Sequence, residues 1–322
     1  MKTGKKLLAL ILTLTLVLSA LPMTALPAFA LTDGDFVYEV LDETAKTCEI
    51  TEYNGSATMV EIPEKLGDYT VTAIGYQAFG NRYSITDVTI PETVTSIDNY
   101  AFYECSALTS VAIPDSVASI GSCVFSYCTS LESVTIGAGV SALEADAFEY
   151  CNALTEINIS SGNTNFSSKD GVVFSADGTQ LILCPAGKSG EYTVPAGTVS
   201  IGDNAFAHCS ALTGVTIPNS VTDIGYRAFY YCDALTAATL GSGVKTIGGY
   251  AFSGCDALVS IKLPSGLTTI GENAFSDCTA IVSIEIPDSV TSVGESAFRY
   301  CQSLESVTIG KGLTSLDYYL FW

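Results

Sequence analysis

The sequence predicts a β-rich solenoid of stacked 23-residue repeats, and three observations support this fold. Phenylalanines recur every 23 residues, except between Phe148 and Phe206, where the gap of 58 residues equals one repeat of 23 plus an insertion of 35. Most repeats also contain a short apolar-x-apolar run, which is typical of a strand. A proline or glycine commonly follows that run and ends the strand. Units of this length stack on their neighbours and bury a shared core.

The repeat that begins at Phe102 shows the order of the predicted elements. Val111 and Ile113 alternate with polar residues, so both are expected to face the core. Such strands should pair in parallel, one per unit, in a sheet on one face. Ile120-Gly121 then turns the chain back, and the following x-x-Ala-Phe-x-x-Cys spacing predicts a short helical turn. We expect about nine to ten such units.

The recurring phenylalanines and cysteines form a predicted structural ladder. We expect the phenylalanines to make one continuous buried column and the cysteines to be buried free thiols, because Cys behaves as a small hydrophobe. Disulfides between rungs about 4.8 Å apart and a thiolate metal site are the alternatives, although one Cys per rung supplies a tetrahedral set poorly. No metal or cofactor is therefore expected. The ladder comprises Phe102, Phe125, Phe148, Phe206, Phe229, Phe252, Phe275 and Phe298 with Cys105, Cys128, Cys151, Cys209, Cys232, Cys255, Cys278 and Cys301.

Residues 1–30 are predicted to be a secretory signal peptide, 31–70 a β-rich N-terminal cap and 71–322 the solenoid. Lys2, Lys5 and Lys6 precede the apolar run 7–18, and Ala28-Phe29-Ala30 is a small-x-small cleavage site. A membrane-spanning helix, the alternative, needs about 20 apolar residues in a row. After cleavage, no membrane span is expected, and the protein should be secreted or displayed at the cell surface.

Three departures from the repeat are informative. The insertion covers about 160–194, and its Asp177-Gly178 pair between two apolar runs predicts a β-hairpin. Arg82 stands where the first unit should have its cysteine, which suits an edge unit. A further unit restarts at Leu320-Phe321 without its strand, so we expect a truncated array with further repeats or domains beyond it, or else an end that is buried against a partner.

The motif Leu-x-x-Val-x-Ile-Pro-x-x-Val-x-x-Ile-Gly-x-x-Ala-Phe-x-x-Cys resembles the BspA-like class of leucine-rich repeat. The resemblance covers residues 74–321, and the motif recurs about nine times. It implies a leucine-rich-repeat solenoid at a bacterial cell surface or in a secreted protein, with a role in adhesion and protein binding. Binding residues vary within that family, so the resemblance assigns none to this chain.

Charge and composition argue against several classes of function. Without the three signal lysines the net charge is −21 − 3 = −24, and a polyanion does not bind nucleic acid by neutralising phosphates. His208, the only histidine, is expected to be a surface residue on a turn rather than a catalytic base. Acidic residues such as Glu144, Asp146 and Asp223 look scattered over a solvated surface. No catalytic residue is therefore predicted.

Two surfaces are candidates for ligand binding. Outward-facing strand positions give a floor of mainly threonines, represented by Thr135, Thr216 and Thr239. Tyrosines cluster near the predicted turns, and tyrosine is common in recognition surfaces. The alternative is that these tyrosines only cover the rung edges. The candidate tyrosines are Tyr103, Tyr127, Tyr150, Tyr230, Tyr231 and Tyr300.

The sequence therefore favours a non-enzymatic secreted or cell-surface binding module with an extracellular protein or glycan as its ligand. Two alternatives stay open. One is an extracellular polysaccharide-active enzyme of β-helix type, because such enzymes share this rung length. The other is the targeting region of a longer surface protein.

Overall fold

A computed structural model describes residues 30–317 and 319–322. Apart from Ala30, the predicted signal peptide lies outside the described residues. The described chain winds into a β-solenoid, which confirms the predicted fold class. Within 30–317 and 319–322, no helix is long and apolar enough to cross a membrane.

The N-terminal segment forms a β-cap on the first rungs. Its strands β1, β2 and β3 are antiparallel, β3 pairs in parallel with β6, and β5 pairs with β6. The ring of Tyr53 stacks on Phe79 with centroids 5.3 Å apart, so the cap closes the apolar end of the core. The strands are β1 Leu31–Asp33, β2 Phe36–Asp42, β3 Thr47–Tyr53, β4 Met59–Glu61, β5 Lys65–Leu66 and β6 Tyr69–Ile74.

The N-terminal half of the solenoid follows the cap. Its odd-numbered strands join β4 in a parallel sheet, the floor sheet, in the order β13-β11-β9-β7-β4, while its two-residue even-numbered strands extend the β6 sheet. The strands are β7 Asp87–Thr89, β8 Ser96–Ile97, β9 Ser110–Ile113, β10 Ser119–Ile120, β11 Ser133–Ile136, β12 Ala142–Leu143 and β13 Glu156–Ile159. Val111, Val134 and Ile157 are in register and buried, as the alternating pattern predicts.

The insertion contains the predicted hairpin and one strand more. β14 Phe166–Lys169, β15 Val172–Ser175 and β16 Gln180–Leu183 are antiparallel. Asp177-Gly178 turns β15 into β16, with Gly178 at φ +71°. Val173 packs in the core of the N-terminal half and Val172 in that of the C-terminal half. The insertion is therefore the layer between two separate cores.

The C-terminal half repeats the same plan. Its even strands extend from β16 in the order β16-β18-β20-β22-β24-β26, and its floor strands form the sheets β17-β19-β21-β23 and β25-β27. The predicted single floor sheet is thus divided into three. The strands are β17 Gly190–Thr193, β18 Ser200–Ile201, β19 Leu212–Thr216, β20 Asp223–Ile224, β21 Ala237–Thr239, β22 Thr246–Ile247, β23 Ser260–Ile261, β24 Thr269–Ile270, β25 Ser283–Ile286, β26 Ser292–Val293 and β27 Ser306–Ile309.

The phenylalanines form two stacked columns, buried except for the terminal Phe321, rather than the single buried column expected from the sequence. One runs from Phe79 to Phe148 and the other from Phe206 to Phe321, with successive ring centroids 4.7–5.7 Å apart. Between them, Cys184 takes the phenylalanine position. Its N–H donates to the Ala205 carbonyl, just as the Phe206 N–H donates to the Ala228 carbonyl. The rungs of Tyr53 and Cys184 lack the phenylalanine, which is why counting phenylalanines underestimates the number of turns.

The prediction of helical turns at the Ala-Phe-x-x-Cys segments is wrong in detail. Among the described residues, only Ala145–Phe148 forms a 3₁₀ helix, and the other segments are turns. Most turns contain two residues at φ near +60°, four positions apart, as at Tyr100 and Glu104, whereas in the turn that carries the 3₁₀ helix only Tyr150 has a positive φ. A left-handed residue interrupts a right-handed helix. We call this side of the solenoid the turn face.

Candidate binding surface

The ladder cysteines lie directly beneath the turn face. All eleven cysteines of the chain are unpaired and nine are buried. Each ladder thiol from a regular rung points at the phenylalanine carbonyl of the previous rung, as in Cys128 Sγ to Phe102 O at 3.2 Å. Burial raises the pKa of Cys105 and of Cys151 to about 12, so these thiols stay protonated. The position therefore takes a residue that is small, apolar and a weak donor.

Backbone hydrogen bonds join successive turns and fix where the turn-face side chains point. In each regular rung three alternate N–H groups donate to the next turn, as when Tyr100, Phe102 and Glu104 donate to Ser122, Val124 and Ser126. In most turns the left-handed residues belong to this ladder. We call them the first left-handed position (Gln77, Tyr100, Cys123, Asn204, Arg227, Tyr250, Asn273 and Ser296) and the second left-handed position (Asn81, Glu104, Tyr127, Tyr150, His208, Tyr231, Gly254, Asp277 and Tyr300).

Tyrosine at these positions has a cost in backbone conformational energy. A non-glycine residue in the left-handed region costs about 1–2 kcal/mol, and Gly254 shows that the fold accepts glycine there. Tyr127, Tyr150 and Tyr231 nevertheless hold the second left-handed position, with φ of 63°, 59° and 52°. Strained residues of this kind cluster at functional sites. Asn81, Glu104 and Asp277 hold the same position, so the left-handed conformation belongs to the repeat, and the residue type there decides which side chains the turn face displays.

Five of the six predicted tyrosines, all except Tyr300, form part of one aromatic row along the turn face. From Tyr100 the ring centroids follow at 5.5 Å to Tyr103, 5.6 Å to Tyr127 and 4.4 Å to Tyr150. Tyr127 is 38% exposed and Tyr231 is 44% exposed, so the row is accessible to a partner. We call this row the tyrosine edge; its members are Tyr76, Tyr100, Tyr103, Tyr127, Tyr150, His208, Tyr226, Tyr230, Tyr231 and Tyr250.

His208 carries the row across the junction of the two halves. Its ring lies 4.3 Å from that of Tyr150 on one side and stacks on Tyr231 at 5.7 Å on the other. Its Nε2 lies 3.0 Å from Glu149 Oε1. The expectation of a surface residue is therefore wrong, because His208 is only 8% exposed. Its place two residues after Phe206, equivalent to that of Tyr150 after Phe148, is the sequence signal that could have placed it in the row.

Arg227 is a second member of this region that the sequence interpretation missed. Its guanidinium carbon lies 5.1, 4.8 and 5.5 Å from the ring centroids of Tyr226, Tyr230 and Tyr250. Among the described residues, no carboxylate pairs with it. It also lines a cavity of about 170 Å³ at the junction of the halves. The cation is held by the tyrosines themselves, through cation–π contacts.

Tyr300 does not join the tyrosine edge in the way predicted. It packs instead against Trp322, at 5.6 Å, with the guanidinium of Arg299 over both rings. The candidate threonines lie on a different face, where Thr216 pairs with Thr239 in one floor sheet and Thr135 lies in another. All three are exposed. The floor is thus a second candidate surface, interrupted by the insertion.

A groove at the junction brings together carboxylates that look scattered in the sequence. It measures about 660 Å³ and is lined by Glu144, Asp146, Asp203 and Asp223 among others. Three of these carboxylates accept local hydrogen bonds: Asp146 from the Ser122 hydroxyl at 2.6 Å, Asp203 from the Tyr226 N–H at 2.7 Å and Asp223 from the Thr222 hydroxyl at 2.6 Å. Within the described part of the chain, no group of three or more His, Cys, Asp or Glu residues is placed to hold a metal ion.

The arrangement of short parallel strands, buried ladder and turns defines a leucine-rich repeat solenoid of bacterial type. The sequence matches the BspA type leucine rich repeat region, in six copies, over residues 50–170 and 191–322. The chain belongs to this family. No curated protein matches it.

Solved structures of bacterial repeat proteins share the fold. A leucine rich cell surface protein from Faecalibacterium prausnitzii is 28% identical, with 90% of this chain and 96% of that one covered and a TM-score of 0.55. The pneumococcal vaccine antigen PcpA is 21% identical over 90% of this chain and 89% of its own, with a TM-score of 0.60. A leucine-rich repeat protein from Eubacterium ventriosum is 20% identical over 89% and 96%, with a TM-score of 0.50. The last two similarities concern the fold alone.

Proposed function

We propose that this protein is a non-enzymatic binding module, secreted or displayed at the bacterial surface, which recognises an extracellular protein or glycan through its tyrosine edge. The observation that carries the proposal is the row of partly exposed rings held at left-handed backbone positions. Tyrosine offers large amphipathic contact area with little side-chain entropy to lose. The fold then acts as a rigid support for that row.

Location outside the cell is supported by two observations. The N-terminal 30 residues have the composition of a secretory signal peptide. The similar protein from Faecalibacterium prausnitzii is described as a cell surface protein. Both fit a module whose ligand is extracellular.

The proposal can be tested with arrays of glycans and of purified extracellular proteins. The full chain and a Tyr127→Asn, Tyr150→Asn variant would be probed side by side. Asn81 holds the equivalent left-handed position, so the variant should fold. We expect a ligand that binds the full chain and binds the variant at least about ten-fold more weakly, as for loss of aromatic anchors. Undiminished binding by the variant would contradict the proposal.

The carboxylate groove favours a second candidate function, the hydrolysis of a polysaccharide. Glycosidases use two carboxyl groups, one of them as general acid, and Glu144 lines the groove beside Asp146, Asp203 and Asp223. We favour binding because the other three carboxylates already accept hydrogen bonds, Asp146 and Asp203 from a neighbouring rung and Asp223 from the adjacent Thr222. Release of reducing ends from a polysaccharide panel, abolished by Glu144→Gln, would support the enzyme instead.

A further inference from the structure

The N-terminal part of the tyrosine edge carries rings but no basic residue. We call it the open edge; it comprises Tyr76, Tyr100, Tyr103, Tyr127 and Tyr150, whose neighbouring centroids lie 4.4–5.7 Å apart. Residues 83–168, which include every ring of the open edge except Tyr76, contain no Lys, Arg or His. Two basic side chains beside this stretch are engaged, Arg82 with Glu52 and His208 with Glu149. The same stretch has a formal charge of −10 from Asp87, Glu92, Asp98, Glu104, Asp115, Glu132, Glu144, Asp146, Glu149 and Glu156.

Elsewhere in the molecule, aromatic rings already hold cations. Arg227 sits among three tyrosines, and Arg299 lies 4.4 Å from the Tyr300 centroid and 4.7 Å from that of Trp322. After subtraction of Lys2, Lys5 and Lys6, 13 − 3 = 10 basic residues remain. Four of the ten, Lys46, Lys188, Arg227 and Arg299, lie over aromatic rings. A cation over a tyrosine is therefore a recurrent arrangement in this chain.

Carboxylates lie beside the rings of the open edge. The Tyr83 hydroxyl donates to Glu104 Oε2 at 3.1 Å. The Glu104 carboxylate also raises the pKa of Tyr103, after the larger effect of desolvation by burial, which places it close to that phenol. At the other end, Glu149 raises the pKa of Tyr150, after the larger effect of burial, and its Oε1 also lies 3.0 Å from His208 Nε2. A guanidinium on these rings would meet a π face and a carboxylate together, and each attracts it.

We infer that the open edge binds an extended segment of a partner protein that carries arginine at alternate positions. This inference rests on the proposed function and names the chemistry of its ligand. The open edge covers four rungs, or about 14 Å at about 4.8 Å per rung, which is the length of about four or five extended residues. Alternate side chains of such a segment face one side, so two or three of them reach the rings. Arginine suits the site better than lysine, because its guanidinium stacks on aromatic faces and is more weakly hydrated.

The test uses a labelled peptide, Arg-Ser-Arg-Ser-Arg-Ser, and the same peptide with citrulline in place of arginine. Citrulline keeps the shape of the side chain and removes its charge. Fluorescence anisotropy with the full chain at about 0.15 M salt, where only close charges act strongly, would measure both affinities. We expect the citrulline peptide to bind at least about ten-fold more weakly. Equal binding of the two peptides would overturn the inference.

Three variants locate the site on the chain. Tyr103→Ser with Tyr127→Asn removes two rings, and Ser126 and Asn81 show that the fold accepts these residues at the equivalent positions. We expect about ten-fold weaker peptide binding by this double variant. Glu104→Gln keeps the shape and removes one charge, so binding should weaken by about three-fold. Asp277→Asn, at the equivalent position in the C-terminal half, should leave the affinity unchanged.

The outcomes separate this inference from the proposed function. If the Tyr103→Ser, Tyr127→Asn double variant and the Glu104→Gln variant each bind the peptide as tightly as the unchanged chain, the inference is overturned. A neutral glycan ligand that needs Tyr127 but is not displaced by excess arginine peptide also overturns it, although that result leaves the proposed function intact. A natural ligand that binds the tyrosine variants as tightly as the unchanged chain overturns the proposed function itself.

Discussion

The open edge and the tyrosines around Arg227 are built at equivalent positions of the same repeat, yet their chemistry differs. Tyr100 and Arg227 both occupy the first left-handed position, and Tyr127 and Tyr231 both occupy the second. In the C-terminal half a guanidinium from the chain itself fills the space against the rings. In the N-terminal half the equivalent rings lie in a stretch without any basic residue. The backbone ladder thus fixes where a side chain is displayed. The residue type at each position then decides whether a cation from the chain itself already contacts the rings.

The two halves also have separate cores, and breaking either core should give the largest effect. Phe125→Ala in the N-terminal half and Phe252→Ala in the C-terminal half each remove a fully buried ring from its column. We expect each to lower the free energy of unfolding by about 3–5 kcal/mol. Because a solenoid couples nearest neighbours, the damage should stay mainly in its own half. Denaturant titration measures the loss, and hydrogen exchange measures where it falls.

Two results would revise this comparison. A loss below about 1 kcal/mol would mean that the ring contributes little to the core. Equal loss of protection in both halves after one substitution would show that the insertion transmits stability fully, so that the two cores act as one.

The repeat pattern explains which features could be predicted from the sequence. The strands, the Val111-x-Ile113 register and the Asp177-Gly178 hairpin depend on local periodicity and turn chemistry, which the sequence displays directly. The positive φ at Tyr127 does not, because helical spacing and a chain of left-handed turns give the same one-dimensional pattern. Cys184 at a phenylalanine position also lies outside the repeat motif, so the break in the column was not visible.

The binding surface was predictable only in part, for the same reason. The tyrosines near the turns follow the 23-residue period, so five of the six candidates lie together in the structure. His208 and Arg227 follow that period too, but their residue types differ from those of their neighbours and conceal the shared position. The groove of Glu144, Asp203 and Asp223 forms across the insertion, and the way in which strands β14 to β16 fold between these residues cannot be traced from spacing alone.

Buried thiols in both halves predict a loss of stability at alkaline pH. Burial raises the pKa of Cys105 and Cys151 to about 12, and those of Cys232 and Cys278 are also raised. As pH rises above 9, the unfolded chain loses these protons first, so the stability present below pH 9 is lost toward pH 12. Each buried thiol contributes up to about 1.4 kcal/mol per pH unit in this range.

Urea titrations at about pH 8 and about pH 10 would measure this loss. A Cys105→Ala, Cys128→Ala variant should show a weaker pH dependence, because two titrating groups are gone. An unfolding free energy that does not change between the two pH values would contradict the buried protonated ladder.

Gly254→Ala should have a smaller effect that is specific to the C-terminal half. Gly254 has φ +74°, and an added Cβ would lie 2.7 Å from Tyr231 Cδ1. We expect a cost of about 1–2 kcal/mol from backbone strain and displacement of that ring. Tyr127→Gly, at the equivalent position in the N-terminal half, should change stability by less than about 1 kcal/mol, because relief of strain offsets lost ring contacts. Thermal melts measure the stability of both variants. A larger loss of stability in Tyr127→Gly than in Gly254→Ala would contradict this prediction.

Arg227→Gln should give the smallest effect and would sharpen the contrast between the two regions. It removes the cation from Tyr226, Tyr230 and Tyr250, so the C-terminal rings should gain affinity for the arginine peptide by about three-fold. Combining Arg227→Gln with Tyr103→Ser and Tyr127→Asn weakens peptide binding at the open edge. The anisotropy measurement then reports mainly the C-terminal rings. No gain in that combined variant would mean that the chain's own arginine is not what keeps the C-terminal rings from binding.

The central claim is that the tyrosine edge, rather than the threonine floor, binds the ligand. The most direct measurement compares ligand affinity in two triple variants of the full chain: Tyr103→Ser, Tyr127→Asn, Tyr150→Asn on the edge, and Thr135→Ala, Thr216→Ala, Thr239→Ala on the floor. Ala112 holds the floor position equivalent to Thr135, so the floor variant should fold. We predict a loss of more than about ten-fold for the edge variant and less than about two-fold for the floor variant. The reverse order, with both proteins folded, would contradict the account.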